Sequence, residues 1–131
     1  MTEAAEIKRL VRAAEEDEAV AARLFGEGKF RQAVSRAYYA AFYYVTAVLY
    51  TKGLSYKRHG AAIAAFNKEF VRPGVFPAGD YAAVKSAFDL RHEADYRLIE
   101  HGAAVVKDTL AGIKDFGLRA HEALASYLGA P

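Results

Sequence analysis

The chain has 131 residues, 26% of them charged, with a formal net charge of +2. That length suits a single domain over 1–131 with a core of its own. The absence of cysteine excludes disulfides and thiolate metal sites.

The N-terminus, MTEAAEIKRL, is charged and has no apolar core of a signal peptide. Helix one is predicted over Glu3–Phe25, with a stripe of Ile7, Leu10, Val11, Ala14, Ala21, Leu24 and Phe25. GEGKF breaks it, with Gly26 and Gly28 as candidates to end the helix. Helix two is predicted over Phe30–Thr51 and ends at Gly53. One face carries Val34, Ala37, Tyr38, Ala41, Phe42, Val45, Val48 and Leu49, and the other carries Tyr39, Tyr43, Tyr44, Ala47 and Tyr50. A helix apolar all round is buried all round. In so small a bundle that predicts a second copy, hence a homodimer through residues 34–50.

GLSYKRHG is a connector, and helix three follows over His59–Val71 with Ile63, Phe66 and Phe70 inward. RPGVFPAGD must be a loop. Helix four is predicted to start near Asp80 as its N-cap, with Tyr81, Val84, Ala87 and Phe88 inward. It ends inside DLRHEADYRLIEH, residues 89–101, which gathers eight ionisable groups in thirteen positions. Helix five is predicted over His101–Leu128, with Ala103, Val106, Leu110, Ile113, Gly117, Ala120, Leu124 and Tyr127 at three-four spacing. The final LGAP should fray. Long helices with short connectors give an all-α, up-down antiparallel bundle of about five helices.

Charge is uneven along the chain. Residues 1–27 hold four bases and seven acids (net −3), residues 28–72 eight bases and one acid (net +7), and residues 73–131 six and eight (net −2). A basic middle third is either a face for a polyanion such as RNA or a set of partners for acidic helices. No uncharged run reaches the ~18–20 residues that span a bilayer, so the expectation is a cytoplasmic protein with no membrane contact. No phosphate loop, dinucleotide fingerprint or nucleophile elbow occurs, and no cofactor is expected. His92–Glu93 and Glu100–His101 are adjacent pairs pointing to different helix faces, so no metal is expected.

Four stretches in order carry a resemblance. They are EGKFRQAVSRAYYAAFYYVTAVLYTKGL at 27–54, KRHG at 57–60, NKEFV at 67–71, and Arg91, Ala94, Asp95 and Tyr96. Together they resemble the HEPN-domain family, in particular its small stand-alone prokaryotic branch, over roughly residues 10–125. The resemblance implies a small helical bundle, usually dimeric. It also implies a toxin-like protein of a toxin–antitoxin pair, with a minimal nucleotidyltransferase as antitoxin. Many HEPN ribonucleases pair an Arg with a His four to six residues later, and two copies meet as a metal-independent RNA-cleaving site. Here Arg91 matches the Arg, but Tyr96 stands five residues on, His92 is adjacent and His101 lies too far along.

The candidate catalytic residues are therefore Arg91, Asp95, Tyr96, His59 and His92, and the candidate RNA-binding residues are Arg36, Lys57 and Arg58. Arg91 is either a phosphate clamp or the cation that complements the end of helix four. Asp95 is expected to hold Arg91 or Arg36, and Arg36 is expected to find Asp95 or Glu93. Tyr96 reads as packing more than as a proton donor. His59 is either an acid–base group or an exposed residue at a helix start. The tyrosines of helix two read as core or interface, with base stacking as the other option. Two functions remain open: a metal-independent ribonuclease at a dimer cleft, and a non-catalytic module for RNA, a nucleotide or a partner protein. The missing Arg-to-His spacing favours the second.

Overall fold

A computed structural model describes residues 2–98 and 100–129. Its elements are α1 (Glu3–Gly26), α2 (Phe30–Tyr50), α3 (His59–Phe66, continued by a wider π turn over Asn67–Val71), α4 (Ala78–Tyr96) and α5 (Ala103–Ala123). There is no strand among the described residues. Nor is any helix among them long and apolar enough to cross a membrane.

The helix ends follow the local chemistry. The Thr2 hydroxyl accepts from the Ala5 amide at 3.1 Å and caps α1. Gly28 and Gly53 take positive φ just past α1 and α2, where a side chain would be strained. α5 stops at Ala123, short of the predicted Leu128, and 124–129 continues as turns. Of the segment expected to fray, Ala130 and Pro131 lie outside the described residues.

α2 is the axle of the bundle. α1, α3, α4 and α5 all pack on it. Tyr44 and Ala47, from the face expected to need a partner, are as buried as Tyr38 and Val45. Phe30, Tyr39, Phe42, Tyr43, Thr46 and Tyr50 stay half-buried, and Arg31, Gln32 and Arg36 are exposed. Four neighbours from the same chain cover this helix, so its apolar circumference does not require a second copy. An aromatic plug of Phe66, Phe76 and Phe116 closes the core, with ring centroids 5.3–5.7 Å apart. Phe76 belongs to the segment read as a loop, yet it is only 2% exposed.

Asp80 is not the N-cap of α4; Pro77 occupies that place. Asp80 sits in the first turn, 1% exposed, and Arg119 of α5 donates to both its oxygens at 2.7 and 2.5 Å. A buried carboxylate requires such a partner, which is why this acid turns inward instead of capping.

Removing Arg119 strands that carboxylate. Arg119→Ala should cost about 2 kcal/mol, less than for a wholly buried pair because the Arg119 side chain is 42% exposed. Arg36→Ala breaks a surface pair to Asp17 and should cost no more than ~0.5 kcal/mol. Urea denaturation of the two variants measures the contrast, and equal losses would refute it.

Candidate functional site

The last two turns of α4 lie against α2 and place Arg91 beside two adjacent tyrosines. Arg91 donates through Nε to Asp95 at 3.0 Å and through Nη2 to the Tyr39 hydroxyl at 3.0 Å. The Asp95 contact is the i, i+4 geometry of a helix turn. The guanidinium lies 5.2 Å from the Tyr39 ring centroid, 5.7 Å from Tyr38 and 5.6 Å from Tyr96. Its side chain is 18% exposed, so it is held in place yet reachable. Arg31, from the start of α2, approaches the other oxygen of Asp95 at 3.8 Å. Two guanidinium groups thus share one carboxylate, and the trio carries a net positive charge.

His59 opens α3 on the same face. Its Nδ1 is 2.7 Å from the Tyr38 hydroxyl, and its ring stacks on Phe42 at 3.9 Å. Tyr38 is fully buried, and burial pushes its hydroxyl pKa up, partly offset by the Arg91 charge. The hydroxyl therefore keeps its proton and must donate it, because a buried donor left unmade costs ~1–3 kcal/mol. Nδ1 of His59 accepts that hydrogen bond, which puts the imidazole proton on Nε2. Burial, and then the Arg91 charge, hold the His59 pKa below its ordinary value. His59 is accordingly a neutral Nε2–H donor.

The remaining sequence candidates distribute differently. Tyr96 is 65% exposed and does not pack: it is the last residue of α4, beyond Ala94, and its ring meets exposed His92 at 4.8 Å. Arg36 turns to Asp17 of α1 at 3.4 Å, not to Asp95 or Glu93. Its place on α2 faces α1, and Arg31, five residues earlier, takes the position near Asp95. Lys57 and Arg58 are exposed on the connector before His59, with no ion pair among the described residues. His101 reaches Glu93 at 3.7 Å. Tyr38, Tyr39 and Arg31 were missed as site residues. The available signal was the pair of hydroxyls on a helix otherwise too apolar to satisfy them. Among the described residues no group of three His, Asp or Glu is placed to hold a metal ion.

The chain matches the family model for the HEPN domain over residues 7–115. It is 38% identical over 89 residues to a UPF0332 protein of Thermotoga maritima, covering 67% of each chain. Two proteins of Methanocaldococcus jannaschii, each named a "putative toxin", are also similar. One is 38% identical over 70% of this chain and 68% of its own length, the other 32% over 70% and 62%.

The site geometry fixes how His59 titrates. By NMR of the imidazole resonances, His59 should titrate below the ordinary value of about 6.5. Arg91→Ala should raise that value only part of the way, because burial is the larger cause. Since the folded value lies below the unfolded one, the contribution of His59 to stability is present above about pH 6.5 and is lost as pH falls through the folded value. A His59 that titrates at or above the ordinary value would contradict this geometry.

Proposed function

The chain belongs to the HEPN domain family, and from that premise we propose that it is a toxin-like protein that grips RNA by a backbone phosphate at Arg91. The observation that carries this is the fixing of the guanidinium by Asp95 and Tyr39, both at 3.0 Å. Two of its five N–H donors are thereby used, and among the described residues the others have no protein acceptor. A planar fork held in place is suited to a phosphodiester, and the single net positive charge of Arg31, Asp95 and Arg91 matches its single negative one. The Nε2–H of His59 adds a neutral donor. Exposed Lys57 and Arg58, next to His59, extend the positive surface.

A neutral His59 with its proton on Nε2 supports binding over proton abstraction. The second reading is metal-independent cleavage at a cleft between two copies; the names of the Methanocaldococcus jannaschii relatives support the toxin-like character that both readings share. There the 2′-hydroxyl attacks the adjacent phosphorus, the 5′-oxygen leaves, and a 2′,3′-cyclic phosphate results. Arg91 would stabilise the developing charge, and His59 or His92 would move protons. A minimal nucleotidyltransferase is the antitoxin that goes with either reading. The first reading needs no second copy, because Arg91, Asp95, Tyr39 and His59 belong to one chain.

Labelled single-stranded RNA and purified protein without metal separate the outcomes. Wild type should bind, with affinity falling as salt rises. Arg91→Ala should weaken binding by about 10–100-fold, the worth of charge-assisted hydrogen bonds. Arg91→Lys should not restore it, and adding Asp95→Ala to Arg91→Ala should change little. RNA that ends in 2′,3′-cyclic phosphate would establish the second reading. Full binding by Arg91→Ala would refute the first reading, and cleavage undiminished in that variant would refute the role of Arg91 in the second.

A further inference from the structure

Where α1 and α5 meet over α2, short side chains such as Ala19, Ala22, Ala37 and Ala111 leave a cavity of about 480 Å³. That size is typical of small-molecule sites, which combine apolar walls with a few convergent polar groups. None of its lining residues belongs to the Arg91 cluster. Its polar groups are Glu15, Glu18, Tyr44, Lys114 and His121.

The charges in this wall are unequally answered. His121 presents Nδ1 to the Gly117 carbonyl at 2.7 Å and Nε2 to Glu15 at 3.0 Å. With an acceptor at each ring nitrogen, the imidazole holds both protons. Burial alone would lower its pKa, but the Gly117 carbonyl and Glu15 outweigh that and raise it. Glu15 is thus neutralised by the protein itself. Glu18 is not: among the described residues no cation lies within ion-pair distance of it, Lys114 included, and its Oε1 is buried without a hydrogen-bond partner. Burial pushes the Glu18 carboxyl pKa up, and Tyr44 and the His121 charge only partly offset this.

Gly117 shows that the carboxylate has a prepared seat. A Cβ there would lie 2.7 Å from Glu18 Oε1 and 2.9 Å from the Tyr44 ring. A glycine inside a 21-residue helix costs roughly 0.5–1 kcal/mol in a helix interior. What it leaves room for is the Glu18 carboxylate and the Tyr44 ring.

We propose that this cavity binds a small organic amine, its ammonium paired with Glu18 and its apolar body lying on the alanine walls. A metal ion is the poorer fit, since Glu15, Glu18 and His121 do not form a metal-binding group. An anion would find Lys114 in the wall, but it would also lie against two carboxylates, and the other cation, His121, is already committed to Glu15.

Cyclohexylamine, cyclohexanol and cyclohexanecarboxylate have one shape and three charges. NMR titration of the folded protein with each should show the amine binding at least about tenfold tighter than the alcohol, with the carboxylate weakest. Glu18→Gln should reduce the amine to the level of the alcohol. Ala22→Leu narrows the cavity without altering a charge and should weaken amine and alcohol alike. An amine no tighter than the alcohol on wild type would overturn the proposal, as would no saturable binding at millimolar amine or an unchanged preference in Glu18→Gln. If Glu18→Gln does not fold, the wild-type ratio and Ala22→Leu decide the question.

Discussion

Burial of α2 on nearly every side is the constraint from which the rest follows. A helix enclosed by four others gains apolar burial at every turn, roughly 1.5–3 kcal/mol for each large side chain. Tyrosine fills such a position well, but its hydroxyl cannot be left dry without a partner. Three tyrosines of α2 each lie against an ionisable group from a different helix, and two of them hydrogen-bond to it. Tyr38 has His59 of α3, Tyr39 has Arg91 of α4, and Tyr44 lies beside Glu18 of α1. The candidate phosphate clamp and the amine cavity are two results of one packing problem.

Electrostatics then separates these groups by role. Burial and the Arg91 charge keep His59 neutral, so toward the proposed phosphate the two would present a cation and a dipole and would not compete for a proton. The basic middle third is partly spent inside the fold: Arg36 meets Asp17, Arg31 approaches Asp95, and Lys52 meets Glu69. Mutual attraction of unlike helices thus explains part of the charge pattern. Lys57 and Arg58 stand apart from it, exposed beside the site.

Helical periodicity reveals the helices of this chain to within a few residues, because a 3.6-residue apolar stripe is a local property. The Arg91–Asp95 pair is legible for the same reason, being one turn of one helix. What depends on the distance between helices is not legible. Arg36 and Arg31 lie five residues apart on α2, and only the packing of α1 and α4 decides which acid each one meets. Asp80 looks like a cap until Arg119, 39 residues later, is seen to hold it. Tyr96 reads as packing more than as a proton donor, whereas its place at the end of α4 leaves it in solvent. The homodimer expectation rests on apolar faces alone, and the four helices of the same chain that pack on α2 are a long-range property that such a count does not contain.

In the proposed mode of binding, a tyrosine of the buried helix positions the arginine that receives the anion. Tyr39→Phe tests it with the loss of one oxygen, since the ring and its contact with the guanidinium remain. The measurement is RNA affinity of this variant against wild type, with melting temperature alongside. The expected loss is about three- to tenfold, less than the full worth of a hydrogen bond to a charged group because Asp95 still holds the guanidinium, with the melting temperature unchanged to within a few degrees. Full RNA affinity in Tyr39→Phe would contradict it.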